Sequence, residues 1–259
     1  MNQIIVRDVE GRYRIQLIYE DEAILVVDKP AGLLTIPDHW NKEKACLSVI
    51  LQKYLEKNGS NQKLFVVHRL DKETSGLVLF AKNAAAHKIL NQAFEQHLIK
   101  KTYLALLSGV LLQDSGTIDA PISRKMIKGG RKYIDPKKGL PSITEFKVLE
   151  RFRQFTLVEA KPLTGRLHQI RLHFASISHP LVIDSKYNKA GLEFLSIKDM
   201  KPAARVNPDE NIRPILSRLP LHAYRLEFRH PLTDQNMEFK ADLPKDFKSA
   251  LNLLKKWGT

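Results

Sequence analysis

The 259-residue chain carries 42 Lys and Arg against 28 Asp and Glu, a net charge of +14. That excess favours a polyanionic partner, nucleic acid first, over a basic surface kept only for solubility or for a membrane. A single cysteine, Cys46, excludes an internal disulfide framework and fits a reducing compartment, while no window reaches the roughly 18 apolar residues of a membrane span.

The first residues, Met1-Asn-Gln-Ile-Ile-Val-Arg-Asp8, are too short in apolar length and wrong in charge order for a signal peptide, so a cytoplasmic chain is expected. Strands are predicted at 14–19 and 23–27, and Lys29-Pro-Ala-Gly32 ends the second and opens a loop. The pattern Cys46, Leu47, Ile50, Leu51, Tyr54, Leu55 predicts a helix over 44–57 and puts the cysteine in the core. Two apolar strand-like runs follow, at 64–67 and 77–81. After them Asn83 is a helix N-cap, with Ala85, Ile89, Ala93 and Phe94 expected on the inner face. Residues 101–109 read as a buried strand.

Between 120 and 142 the character changes: seven basic residues from Arg124 to Lys138 are interleaved with Gly129, Gly130, Pro136, Gly139 and Pro141. Two readings stand there, a solvated loop or a mobile arm whose cations grip phosphates without fixed geometry. Beyond it, 144–150 and 155–161 read as a hairpin, 166–177 as a helix, and 180–183 as a short strand. Residues 188–219, with Pro202, Pro208 and Pro214, are expected to be irregular. Strands near 221–228 and 237–240 and a helix over about 245–257 close the chain. Strands with interspersed helices and no regular alternation argue for one α+β domain over 1–259, with its core at about 14–242 and a mixed, largely antiparallel sheet.

Three groups of residues carry chemistry. The connection between the runs at 64–67 and 77–81 holds His68, Arg69, Asp71, Lys72, Glu73, Thr74 and Ser75. A carboxylate on a link between two buried strands is held at both ends yet can face a cleft, which suits a nucleophile or a general base. In the helix predicted over 166–177, Leu167, Ile170, Phe174 and Ile177 form an apolar stripe, and Arg171 falls inside it. A buried guanidinium needs a carboxylate; periodicity cannot name it, and a structural and a catalytic pair are equally consistent with it. His168, His173 and His179 are five and six residues apart, with no two on one helical face at i, i+4, so hydrogen bonding accounts for them better than a metal.

The run His68-Arg-Leu-Asp71 with Thr74-Ser-Gly76 closely resembles the signature of the RluA-type family of RNA pseudouridine synthases. Thr164-Gly-Arg-Leu-His-Gln-Ile-Arg-Leu-His173, continuing through His179-Pro-Leu-Val-Ile-Asp184, is similar to a further motif of that family. Lys101-Thr-Tyr-Leu-Ala105 and Leu221-His-Ala223 match two others in family order. The resemblance covers most of 14–242. It implies a pseudouridine synthase fold with a central RNA-binding cleft, Asp71 as the essential catalytic residue, and Arg171 as its ion-pair partner. It also implies Tyr103 against the target base, Leu221 packed beneath it, and Arg69 helping to displace the nucleotide; Arg166 and His68 are placed with the substrate-binding residues. Arg124, Lys125, Lys128, Arg131 and Lys132 are the expected RNA-contacting loop residues. Many relatives begin with a small S4-like RNA-binding domain, and nothing before Arg14 is long enough for one, so a catalytic-domain-only member is expected.

The implied reaction isomerises one uridine in structured RNA, with large-subunit ribosomal RNA the first expectation and transfer RNA the second. Neither metal nor cofactor is expected, nor an obligate protein partner, and a monomer is favoured. A uridine in a stack must be extruded before chemistry, after which Asp71 attacks at C1′ or at C6; the sequence leaves that choice open. A non-catalytic RNA-binding assembly factor is the competing class. It shares the basic charge but has little reason to keep Asp71, Tyr103, Arg171 and Leu221 together.

Overall fold

The computed structural model describes residues 3–8, 11–37, 45–201 and 213–258. In chain order the elements are β1 (Gln3–Asp8), β2 (Gly11–Glu20), β3 (Ile24–Lys29), α1 (Leu47–Lys57), β4 (Phe65–Val66), β5 (Ser75–Ala81), α2 (Ala84–Glu95) and β6 (Lys100–Ser108). They continue with β7 (Ser115–Asp119), β8 (Ile143–Arg151), β9 (Phe155–Pro162), α3 (Gln169–Ser176), α4 (Ile197–Met200), β10 (Leu221–Arg229), β11 (Asn236–Lys240) and α5 (Lys245–Trp257). The architecture is α+β, with antiparallel strands and flanking helices. The chain forms two compact units, each built from two separate stretches: Met1–Lys101 with Ala223–Asp242, and Thr102–His222 with Leu243–Thr259.

In the first unit β2 pairs with β1 and β3, and β3 and β4 pair with β5, all antiparallel. Alternate residues of β3 and β5 (Ile24 and Val26; Leu77, Leu79 and Ala81) point into a core shared with Ala86 and Leu90 of α2 and with Leu226 and Phe228 of β10. This is the period of two that a pleated strand imposes. β11 pairs antiparallel with β10. Helix α1 buries Leu47, Leu51 and Leu55, each four residues from the next.

Asn83 does cap α2, accepting from Ala86 N at 2.9 Å. The helix is nevertheless rotated from the expected phase. Ala86 and Leu90 are buried, with Ala93 and Phe94 partly so, whereas Ala85 is exposed and Ile89 is 42% exposed. Three consecutive alanines at the start give no apolar contrast, so the pattern could not fix the phase to better than one residue.

In the second unit β9 pairs with both β6 and β8, and β7 with β8, again antiparallel. Its core gathers Leu106, Phe152, Phe155, Leu157, Val182 and Leu195 against Phe247, Ala250, Leu251 and Leu254 of α5. Those four residues lie at i, i+3, i+4 and i+7, the stripe of an amphipathic helix packed on a core. The expected strand at 180–183 is a single bridge, Leu181 to Leu107, flanked by Ser108 N to Pro180 O at 2.8 Å and Val182 N to Leu106 O at 3.1 Å. Strands β1 and β7 were not anticipated. Of the irregular 188–219 segment, residues 202–212 lie outside the described residues; the rest holds α4 and a bridge between Leu195 and Leu216.

Helix α3 begins three residues later than expected, and Gln169 explains the delay. Its side chain is buried and saturated: Oε1 accepts from Thr164 Oγ1 at 2.7 Å and Arg166 N at 3.0 Å, while Nε2 donates to Ile143 O and Thr144 Oγ1 at 2.9 and 3.0 Å. Residues 164–168 are thereby folded into a turn against β8. His168 takes a left-handed φ of 58° immediately before the first helical residue.

Candidate active site

In the first unit, the connection carrying Asp71 is fastened on both sides of that residue. On the near side the buried Thr35 hydroxyl brackets Leu70, donating to its carbonyl at 2.9 Å and accepting from its N–H at 3.2 Å. On the far side the carbonyl of Lys72 accepts from Gly32 N at 2.9 Å and from Lys29 Nζ at 3.0 Å. Lys29 itself is fully buried, and its ammonium also donates to Pro30 O at 2.9 Å and Leu33 O at 2.7 Å. Three carbonyl oxygens thus accept from one buried cation, and such bonds help to make a buried charge tolerable. A bond from Thr74 N to Asp71 O at 3.1 Å closes the turn. Asp71 is half-buried and Arg69 exposed, between Leu70 and the buried pair Thr74 and Ser75.

Two further features lock this turn. Nε2 of His68 accepts from Leu79 N of β5 at 2.9 Å, and the ring stacks on Phe94 with centroids 4.9 Å apart. Burial of the imidazole, with a smaller contribution from the charge on Lys101, pushes its pKa down to about 3. A neutral ring with an acceptor at Nε2 is what the bond from Leu79 requires. His68, expected among the substrate-binding residues, therefore turns that nitrogen to the backbone and acts as a strut. Gly76 has φ of +113°, and a Cβ there would lie 2.3 Å from Ala223 O, so only glycine fits.

In the second unit, Tyr103 lies in β6 opposite Ala160 and is 9% exposed; Leu221 opens β10 and is buried. Arg171 is buried in α3, and the carboxylate that periodicity could not name is supplied by Asp184. Arg171 Nε donates to Oδ2 at 2.8 Å and Nη2 to Oδ1 at 2.7 Å, a two-pronged, buried pair. Asp184 Oδ1 also accepts from the backbone N–H groups of Lys186 and Tyr187 at 2.9 and 3.2 Å. The ring of Tyr187 lies under the guanidinium, 5.3 Å from centroid to Cζ. Asp71 of the expected pair stands in the first unit, with His68 and Arg69. Tyr103, Arg166, Arg171 and Leu221 stand in the second.

The three histidines of the second motif each have a separate hydrogen-bond partner. His168 Nδ1 meets Tyr187 Oη at 2.8 Å, and His179 Nδ1 meets Ser108 O at 3.1 Å. The fully buried His173 joins Thr144 Oγ1 at 2.9 Å and Ala120 O at 3.0 Å, and burial lowers its pKa. Among the described residues no group of three or more His, Cys, Asp or Glu is placed to hold a metal.

The basic segment is a loop with backbone bonds of its own. Ile122 bridges both Ile134 and Leu140, Ile127 bridges Arg131, and Ser123 N donates to Tyr133 O at 2.9 Å. Arg124, Lys125 and Lys128 are exposed, and Arg131 is half-buried. The ammonium of Lys132 turns inward, donating to Ser123 O at 3.0 Å and Arg124 O at 2.7 Å. Arg166 Nε donates to Pro141 O at 3.2 Å, at the far end of the same loop.

Lys29, Thr35, Gln169, Asp184 and Tyr187 escaped sequence reasoning as site residues. Lys29 was read only as the end of a strand, and a run-breaking Lys-Pro gives no hint that its ammonium returns to a turn 43 positions away. Asp184 stood within a quoted motif but had no role assigned.

A model of the RNA pseudouridylate synthase family matches residues 23–176, a span that includes Asp71, Tyr103 and Arg171. An uncharacterized RNA pseudouridine synthase of Aquifex aeolicus is 37% identical over 244 residues, covering 93% of this chain and 73% of that protein. The ribosomal large subunit pseudouridine synthase D of Haemophilus influenzae is 34% identical over 261 residues, covering 97% and 76%. Among solved structures, human RNA pseudouridylate synthase domain containing 4 superimposes with a TM-score of 0.72 at 23% identity over 93% of each chain, a likeness of fold. On these matches the chain belongs to the RluA-type RNA pseudouridine synthases, isomerases that convert uridine in RNA to pseudouridine.

Proposed function

We propose that this isomerase acts on one uridine of large-subunit ribosomal RNA, with Asp71 as its nucleophile. The observation that carries the assignment to Asp71 is the double fastening of its turn. Backbone groups of Leu70 and Lys72 are both held by buried side chains, while the aspartate between them is half-buried. A reacting carboxylate needs that combination, because a shift of about 1 Å can cost about a hundredfold in rate. The ribosomal target rests on the name of the Haemophilus influenzae relative and of its Pseudomonas aeruginosa counterpart, 36% identical over 251 residues. Transfer RNA is the second candidate.

In this reading Arg69 helps to displace the uridine from its stack, at about a few kcal/mol. Tyr103 stands against the extruded base and Leu221 beneath it, and the family resemblance makes Arg171 the ion-pair partner of Asp71. Attack by Asp71 at C1′ or at C6 serves the same balance. The N1–C1′ bond breaks and a C5–C1′ bond forms, the bond made by Asp71 is broken again, and the C5 proton leaves to Tyr103 or water while N1 takes up a proton, with no change in oxidation state. No cofactor is called for. The enzyme works as a monomer in the cytoplasm, consistent with its single, buried cysteine.

The test is tritium release from unmodified RNA labelled at C5 of uridine, with ribosomal and transfer RNA assayed separately. Release by the wild type from ribosomal RNA, and none by Asp71→Asn, supports the proposal. Release from transfer RNA alone moves the target. Salt-sensitive binding without release from either RNA favours a non-catalytic assembly factor.

A further inference from the structure

We propose that Tyr187 is a positioning residue that ties the basic loop at 123–132 to the Arg171–Asp184 pair, so that RNA held by the loop fixes the arginine. The inference rests on the reading of this chain as acting on RNA and extends it to a side chain with no assigned role.

Three kinds of bond converge on the four residues Asp184 to Tyr187, all within the second unit. At one end the Asp184 carboxylate holds Arg171 and, through Oδ1, the backbone N–H groups of Lys186 and Tyr187. Those two bonds fix the direction in which the next side chains leave the turn. Lys186 reaches the loop, and its ammonium donates to Gly129 O at 2.9 Å and Gly130 O at 3.2 Å. Tyr187 reaches both ways. Its ring lies 5.3 Å from the Arg171 guanidinium carbon, and its hydroxyl accepts from Lys132 N at 2.8 Å while sharing a 2.8 Å bond with His168 Nδ1. One rigid side chain thus touches the loop backbone, the residue that opens α3, and the buried arginine. Tyrosine suits such a link because it orders only two side-chain torsions and carries a polar tip on an apolar body.

Tyr187 also lines an open groove of about 420 Å³ with Ile127, Arg131, Lys132, Lys186 and Lys189, among others. Four of the nine lining residues are basic, and the charge complement is the phosphate backbone of RNA. Lys132 and Lys186 hold the loop's own carbonyls, and Arg131 and Lys189 add two further cations to the groove. A strand of RNA in this groove would press on the Tyr187 ring and on the loop fastened to its hydroxyl. The guanidinium behind the ring would then lose freedom as substrate docks.

Two substitutions separate the two arms of the tyrosine. Tyr187→Phe keeps the ring on Arg171 and removes the hydroxyl; Tyr187→Leu removes both. In Tyr187→Phe, hydrogen exchange of the RNA-free protein should show the Lys132 amide exchanging about tenfold faster or more. On the unmodified ribosomal transcript its KM should rise about fivefold, with kcat within about twofold. Tyr187→Leu should add a fall in kcat of about tenfold or more, because the arginine loses its ring. A purely structural tyrosine would lower the melting temperature of both variants without splitting KM from kcat. Wild-type exchange at Lys132 in Tyr187→Phe, or equal kinetics in the two variants, overturns the inference. The exchange measurement contains no RNA and decides the link to the loop even if the wild type releases no tritium, an outcome that would overturn the functional reading alone.

Discussion

The turn that carries Asp71 and the basic loop at 123–132 are both polar connections rich in cations, and both are held by lysine ammonium groups bonded to backbone carbonyls. They differ in depth. Lys29 is fully buried, and its ammonium donates to carbonyls on Pro30, Leu33 and Lys72. Lys132 and Lys186 are half-buried and hold two carbonyls each. A strut sealed from water fixes position. One at the surface fixes shape yet can exchange its carbonyls for water, and it still contributes charge to an approaching polyanion. The lesson is that a count of basic residues overstates the cations free to grip RNA, because part of the count holds the loop in form.

The largest effect that would break the comparison is at the reacting group. Asp71→Asn should reduce tritium release by at least about a thousandfold while leaving RNA affinity, measured by filter binding, within about twofold, since one of 28 acidic residues scarcely alters the field. Turnover near wild type in this variant would remove Asp71 from the chemistry. Next comes the buried pair of the second unit. Asp184→Asn removes the charge of the carboxylate that grips the Arg171 guanidinium in two prongs, at a site 5% exposed, and should cost about 3–5 kcal/mol of stability by denaturant titration. Lys29→Met, which takes a donor from three carbonyls while Lys72 O keeps Gly32 N, should cost about 2–4 kcal/mol and lower kcat more than it raises KM.

A smaller effect depends on pH. The unfolded chain protonates His68 below the usual value near 6.5, whereas the folded chain resists protonation down to about 3. Between these values the unfolded state binds more protons, so His68 contributes stability that is complete above pH 6.5 and is lost as the pH falls, by at most about 1.4 kcal/mol per pH unit. In His68→Gln, whose amide oxygen can still accept from Leu79 N, the melting temperature should depend less steeply on pH between 4 and 6.5. An unchanged slope would contradict the buried neutral ring. The smallest effect separates an exposed cation from a holding one. Lys128→Met should leave stability unchanged and reduce the salt dependence of RNA binding by about one unit of slope. Lys132→Met should cost about 1 kcal/mol of stability as two carbonyls lose a donor.

Much of this site was legible because its strands and its carboxylate are local. The apolar runs around 68–75 became β4 and β5, and the polar link between them became the turn. Asn83 capped its helix because a side-chain oxygen three residues before a free N–H is itself a sequence pattern. What stayed hidden is long-range. Thr35 grips Leu70 across 35 positions and Lys29 grips Lys72 across 43, and no periodicity encodes such a reach. Arg171 shows the boundary well: its place in an apolar stripe revealed that it must be paired, but only the structure supplied Asp184, 13 residues on. The start of α3 was misplaced because the capping chemistry at Gln169 depends on β8, which a helical wheel does not contain.

The interleaving of the two units sets the order in which the chain can mature on the ribosome. The core of the first unit stays open until Leu226, Phe228 and Ala241 have emerged, although most of its strands are made before residue 102. The second unit waits for Phe247 to Leu254, far along the chain from its first strand, β6. Both nascent cores therefore expose apolar strands until those later segments emerge, and neither completes from its first stretch alone. Such a chain depends on late, distant pairings for its folding rate, and its nascent form is the stage most open to aggregation and to chaperone capture.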